Sequence, residues 1–218
     1  MVLSYKTEQE AFWSGQFGDE YTDRNRGSDW VASNTAFFAQ VIGKTVDLKS
    51  VIELGANIGL NLMAIERLLP EADLAAVEIN QKAVGELTAN LPRATVFSET
   101  LLDFKPERTW DLAFTKGVLI HINPDMLPVV YSLLYRCSAR YILLSEYYNP
   151  TPVEVAYRGH SKRLFKRDFA GEMLDRFPDL FLLDYGFVYH RDNNFPQDDM
   201  TWFLLEKRLS ATRTNSGF

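Results

Sequence analysis

The centre of the chain alternates short apolar runs with amphipathic stretches, which is the pattern of βα units laid on a parallel sheet. Residues Ser50 to Leu54 read as a buried strand, and Leu60 to Leu69 as the helix behind it, closed by Pro70. A second strand runs from Leu74 to Ile79. Asn80 follows as the cap of a helix reaching about Asn90, since its side-chain oxygen can accept from an unpaired backbone N–H. Ala94 to Phe97 gives a short third strand and Trp110 to Thr115 a fourth. Asp125 to Cys137 is a helix that tolerates Pro128 in its first turn, and Tyr141 to Glu146 is a fifth strand, apolar on both faces and therefore central.

The pattern changes on either side of this core. Residues Asn149 to Lys166 are polar and basic with no clean period, and a helix resumes from Asp168 to Phe177. Phe181 to Tyr189 and Thr201 to Glu206 form two strands joined by a turn-rich loop, Arg191 to Asp199, which puts an antiparallel strand into an otherwise parallel sheet. Ahead of the core, two helices flank a loop rich in Gly, Asp and Arg. The expected division is a helical lid over residues 1–46, a core over 47–208 and a disordered tail over 209–218.

Composition narrows the class without deciding the function. With 218 residues, 46% hydrophobic and 24% charged, the chain suits one soluble α/β domain. A net charge of −6 argues against a nucleic-acid duplex as partner, because releasing counterions from a duplex needs a broad basic surface. Cys137 stands alone, so no internal disulfide framework is possible, which fits a cytoplasmic protein. No apolar run approaches the roughly 18 residues of a membrane span, and no Cys/His cluster has zinc-ligand spacing.

Chemistry enters at Glu53-Leu54-Gly55-Ala56-Asn57-Ile58-Gly59. A strand, a Gly-rich turn and a helix together admit a nucleotide, because the turn lets backbone come close and the helix start presents unpaired N–H groups. The dinucleotide fingerprint requires G-x-G-x-x-G, which this turn lacks. It matches an acid-x-G-x-G-x-G theme instead, with Asn57 in the middle glycine's place. Asn visits positive φ readily, so the turn survives the replacement. Glu78 ends the second strand 25 positions after Glu53. A carboxylate there accepts from ribose hydroxyls, or serves as a charge at the start of the following helix.

From Ser50 to Glu146 the chain resembles the class I S-adenosylmethionine (SAM)-dependent methyltransferases. From Glu8 to Lys207 it is more closely similar to the pseudaminic acid biosynthesis-associated methylases. The stretches that carry this likeness are Glu10-Ala11-Phe12-Trp13, Phe17 to Asn25, Glu53 to Gly59 and Lys116 to Ile122. The resemblance implies a Rossmann-like, seven-stranded, mostly parallel sheet with one antiparallel strand, and SAM as cofactor with S-adenosylhomocysteine as product. It further implies that Glu53 orients the methionine-binding turn, that Gly55, Asn57 and Gly59 shape it, and that Glu78 takes the ribose with Ile79 against the adenine. Thr100 and Leu101 fall where such enzymes meet the adenine amine. An Asp is common in that segment, and Ser98-Glu99-Thr100-Leu101 departs from the pattern. Lys116 and Gly117 lie beside the transferable methyl, while Tyr21 and Arg24 close over the cofactor, Arg24 pairing with its carboxylate.

The acceptor is less legible. Thr115-Lys116-Gly117-Val118 stands where methylases of adenine or amide nitrogen carry an Asn/Asp-Pro-Pro-aromatic motif, which points away from those substrates. His121 is either a general base or a structural histidine pinning the loop after the fourth strand. Glu146 orients an acceptor or is satisfied by backbone N–H groups, and Tyr147 and Tyr148 offer rings to a sugar. The basic stretch around His160 sets Arg158, Lys162 and Arg163 where they either bind an acidic sugar or form a solvated loop, with His160 as a catalytic candidate. His190 is a weaker one. Phe12, Trp13 and Trp30 read as packing groups of the lid. The leading expectation is methylation of a small polar acceptor, a sugar or sugar-acid intermediate of surface glycan synthesis. Its rivals are methylation of protein or RNA, an NAD-dependent reductase and a non-catalytic SAM-binding module.

Overall fold

In the computed structural model, which describes residues 5–24 and 28–208, the apolar runs of the sequence become strands at the centre of three layers. The chain begins with three helices, α1 (Glu8–Ser14), α2 (Gln16–Arg24) and α3 (Ser28–Ile42). The alternating core follows as β1 (Ser50–Leu54), α4 (Leu60–Leu68), β2 (Asp73–Val77), α5 (Gln81–Asn90), β3 (Thr95–Phe97), β4 (Trp110–Lys116), α6 (Leu127–Cys137) and β5 (Ser138–Glu146). Two short strands, β6 (Val153–Tyr157) and β7 (His160–Lys166), precede α7 (Phe169–Arg176), β8 (Leu180–Val188) and β9 (Met200–Lys207).

Seven of the strands form one sheet in the order β3-β2-β1-β4-β5-β9-β8, with β9 antiparallel to both of its neighbours. This is the expected mostly parallel sheet with one antiparallel strand. Because successive side chains in a strand point to opposite faces, the sheet feeds two apolar cores. Ile52, Leu54, Val77, Ala113, Ile142 and Leu205 pack on one face with residues of α6 and α7. Val51, Leu74, Phe114, Leu143, Trp202 and Leu204 pack on the other with α3 and α4. Strands buried on both faces need apolar residues at nearly every position, which is why they stood out in the sequence. Among the described residues no helix is long and apolar enough to cross a membrane.

Two regions differ from expectation. The N-terminal segment holds three helices where two helices and a loop were expected. Gly18 lies inside α2, where an added Cβ would come within 1.8 Å of the Trp13 carbonyl and 2.8 Å of Asn80 Nδ2. Only glycine lets this corner sit on the start of α5. Of the three, α3 joins the core layer, since Phe38 is fully buried and meets Phe114 edge-on at 5.3 Å. Over the sheet's carboxyl edge lie α1 and α2, and α3 also reaches it through Trp30 and Asn34. The second difference is the β6–β7 hairpin, in the stretch without a clean period. Its turn residues Arg158 and Gly159 both have positive φ, 50° and 84°, as a two-residue hairpin turn demands. Most of its side chains are exposed, so no apolar alternation announced it. The expected disordered tail, 209–218, lies outside the described residues.

Candidate active site

The turn after β1 is strained where the sequence placed glycine or asparagine. Gly55, Asn57 and Gly59 have φ of 82°, 47° and 83°. An added Cβ on Gly55 would stand 2.7 Å from Val118 Cγ2, so this turn and the one after β4 touch only because Gly55 has no side chain. Gly59 works from behind, as the left-handed cap of α4 against Leu87 and Leu91.

Two carboxylates brace the turn. Glu53 is fully buried. Its Oε1 accepts from Asn61 Nδ2 at 2.6 Å, whereas its Oε2 and the Asn61 Oδ1 are buried acceptors with no donor among the described residues. Burial pushes Glu53 up to about 8, against the pull of Asn61 and of the Lys116 charge. Glu78 accepts from the Asn57 N–H at 2.7 Å and from the Asn80 N–H at 2.8 Å, one on each oxygen. Burial raises its pKa and these backbone donors oppose the rise. A carboxylate has about four acceptor sites, so Glu78 keeps capacity for a ligand on the pocket wall.

A single cavity of about 250 Å³ runs from this turn, past Glu78 and Ile79, to Thr100 and Leu101 on one side and His121, Tyr147 and Tyr157 on the other. Lys116 is half-buried on its wall, and it is the one Lys or Arg among the described lining residues. Burial lowers its pKa, opposed by Glu53, Asp198 and Glu146. Gly117 follows it with φ 68°.

At the far end His121 is buried between the rings of Trp13 at 4.6 Å and Tyr157 at 4.8 Å. Its Nδ1 lies 2.5 Å from the Arg163 carbonyl oxygen. A carbonyl only accepts, so Nδ1 carries the proton and Nε2 is left as an acceptor. Burial drops His121 to about 4, which keeps the ring neutral at pH 7. Tyr21 and Tyr147 complete this end; burial, with Asp198 and Tyr157 nearby, holds both phenols above their usual range.

No protein-family profile matches the chain, and no curated protein matches it in sequence. Solved structures do match in shape. A 1,6-didemethyltoxoflavin-N1-methyltransferase from Burkholderia thailandensis, with 1,6-didemethyltoxoflavin and S-adenosylhomocysteine bound, superposes with a TM-score of 0.68 at 16% identity, over 96% of this chain and 93% of that one. A magnesium protoporphyrin IX methyltransferase from Synechocystis PCC 6803, with SAM bound, gives 0.64 at 13% identity, over 94% and 100%. The chain has the class I methyltransferase fold. An N-methyltransferase from Bradyrhizobium japonicum WM9 extends the likeness at 0.62 and 12% identity, over 88% of this chain and 99% of that one.

Within this fold the expected site residues divide. Tyr21, Gly55, Asn57, Glu78, Ile79, Thr100, Leu101, Lys116, Gly117, His121 and Tyr147 line the one pocket, with Glu53 and Gly59 directly behind the turn. Arg24 does not reach it; the side chain is exposed, 3.7 Å from Glu20 and over the Phe17 ring. Glu146 is also off the wall. Its carboxylate is taken up by the N–H groups of Val118 and Leu119 at 3.1 Å and of Ile120 at 3.4 Å, fastening the turn after β4, while burial pushes it up to about 7. The basic stretch is likewise displaced, because the hairpin carries it outward. Arg158, His160 and Lys162 are exposed, and Arg163 pairs with Glu8 at 3.3 Å. Tyr148 packs outside against Phe203, and exposed His190 pairs with Asp199. In the other direction, Trp13 and Trp30, read as packing groups, line the pocket, as do Tyr157, Asp198 and Glu10. Glu10 and Tyr157 lie within stretches that the sequence set apart, Glu10-Ala11-Phe12-Trp13 and the basic stretch, without being named as site residues, and nothing local marked Asp198.

Proposed function

We propose that the chain is a SAM-dependent methyltransferase acting on a small acceptor. The observation that carries this reading is the strained turn of Gly55, Asn57 and Gly59, bound to Glu78 and opening into a pocket that ends on a neutral histidine. The residues present suit the cofactor. Glu53 Oε2 and Asn61 Oδ1 are buried acceptors lacking a donor among the described residues, and the ammonium group of the cofactor would supply one. Lys116 offers the pocket a cation for a carboxylate, in the role expected of Arg24. Glu78 has lone pairs to spare for ribose hydroxyls.

When bound, SAM supplies an electrophilic methyl group on a sulfonium. The chain's part is to hold a nucleophile in line with it, out of water. Trp13, Tyr147 and Tyr157 form aromatic walls for the acceptor, and His121 Nε2 accepts the hydrogen of an acceptor O–H or N–H. An acceptor drawn from surface glycan synthesis, a sugar or sugar acid, rests on the sequence resemblance, and the aromatic walls would suit its ring. The displaced basic stretch lends it nothing.

Calorimetry with S-adenosylhomocysteine tests the cofactor half. Binding by the wild-type chain, abolished in Gly55→Arg, is the expected result; no binding, or equal binding by the variant, refutes it. Labelled SAM incubated with fractionated metabolites, RNA and protein tests the acceptor class, and label confined to protein or RNA would overturn the small-acceptor reading.

A further inference from the structure

Beyond Glu78 the wall of the pocket turns apolar at Ile79, Leu101 and Leu102, a surface for the face of a heterocycle. One buried carboxylate interrupts it, and it comes from the other end of the chain. Glu10, on α1, is 8% exposed and lines the pocket. Its Oε2 is occupied by the first turn of its own helix, accepting from the Lys6 N–H at 2.7 Å and the Thr7 N–H at 3.0 Å. That reciprocal capping arrangement, in which the Thr7 side chain accepts from the Glu10 N–H, locks the carboxylate in place. Its Oε1 accepts from the Thr100 hydroxyl across the pocket rim. One hydrogen bond leaves Oε1 with accepting capacity, oriented and shielded from water. Glu99, the acid supplied by the segment after β3, also lines the pocket but is exposed to solvent.

We infer that Glu10 is the acceptor for the exocyclic amine of the cofactor's adenine, so that the first helix of the N-terminal segment, and not the segment after β3, completes the base site. This rests on the cofactor reading above. A buried, pre-oriented carboxylate selects a ring that donates at this position and rejects one that presents a carbonyl, because two acceptors would face each other without a proton. The cofactor thereby bridges β2, the Thr100 segment and α1. Nucleoside binding and the docking of α1 become one event.

The probes are S-adenosylhomocysteine and its 6-oxo analogue, S-inosylhomocysteine, titrated by calorimetry. The wild-type chain should prefer the adenine compound by about tenfold or more, the scale of a hydrogen bond to a charged acceptor. In Glu10→Gln the carboxamide keeps its oxygen on the Lys6 and Thr7 amides and turns its NH2 toward the base. The preference should vanish or invert, whereas Glu99→Gln should keep it. A Glu10→Gln variant that weakens both ligands in parallel and preserves their ratio overturns the inference, as does a wild-type chain that binds both equally. A wild-type chain that binds neither overturns the cofactor reading as well. Amide exchange supplies an arm that needs no variant: the adenine compound should slow exchange over residues 8–14 and the 6-oxo analogue should do so far less. Equal protection by the two overturns the inference even where Glu10→Gln fails to fold.

Discussion

At the Gly55 end of the pocket, proposed for the cofactor, the wall hangs from the carboxyl edges of β1, β2 and β4, and backbone groups hold it. The Gly55 N–H bonds to the Val77 carbonyl at 2.8 Å, the Asn57 N–H to Glu78, and the strands beneath are mostly buried. The His121 end, proposed for the acceptor, is assembled from distant pieces. Trp13 comes from α1, His121 from the turn after β4, Tyr147 from the end of β5, Tyr157 from the β6–β7 hairpin and Asp198 from the loop before β9. Its pieces are joined by aromatic packing, with His121 between Trp13 and Tyr157, and by peripheral polar ties such as Gln9 Nε2 to the Lys162 carbonyl and Arg163 to Glu8. A rigid sheet edge sets one half of the site, and segments free to vary in length and charge set the other. Such a division lets one fold keep its cofactor while changing its acceptor.

The sharpest way to break this contrast is at the rigid end. Gly55→Val combines a positive φ with a clash against Val118, and should lower S-adenosylhomocysteine affinity on the order of a hundredfold. A loss of only a few-fold, measured by calorimetry, would mean that this end also adapts. His121→Asn should separate the two ends: turnover falls by about 10²–10⁴ while cofactor affinity is unchanged. A parallel loss of both would make His121 a structural pin.

Stability against pH probes the rigid end through its buried acids. Burial pushes Glu53 up to about 8 and Glu146 up to about 7, from an ordinary 4.5. The folded chain therefore holds protons that the unfolded chain has released. The stability they contribute is fully present below pH 4.5 and is lost as pH rises through 7 and 8. His121, lowered by burial from 6.5 to about 4, acts oppositely and only below 6.5. Melting temperature should fall between pH 6.5 and 8, and Glu53→Gln should flatten the upper part of that fall. A wild-type profile flat across this window would contradict the burial argument. The smallest effect is expected at the periphery. Arg163→Ala removes a pairing with exposed Glu8 and the guanidinium's contact with the Phe12 ring, and should cost about 1–2 kcal/mol in denaturant unfolding. The KM for the acceptor should stay unchanged; a marked rise would return the basic stretch to the site.

The difference in construction explains what could be read from residues alone. β1, β2, β4 and β5 are buried on both faces, so each wrote an apolar run into the sequence, and the turn after β1 needs positive φ at three places, which only Gly and Asn supply readily. The β6–β7 hairpin buries little, and its Arg158-Gly159 turn lacks the usual Asn-Gly mark. Trp13 looked like packing because an indole on a short helix has the same local signature whether its neighbour is a leucine or a ligand.

By itself, then, the sequence determined the sheet, the strained turn after β1 and the two acids that brace it. These features are imposed by burial and backbone conformation, which act on neighbouring residues. Only the tertiary structure decided which distant side chains share the pocket. It drew Glu10 to Thr100 across 90 residues, spent Glu146 on three backbone N–H groups and turned Arg158 and Lys162 outward. Those outcomes depend on where a helix corner at Gly18 and a hairpin turn at Gly159 send the chain, and no local pattern carries that information.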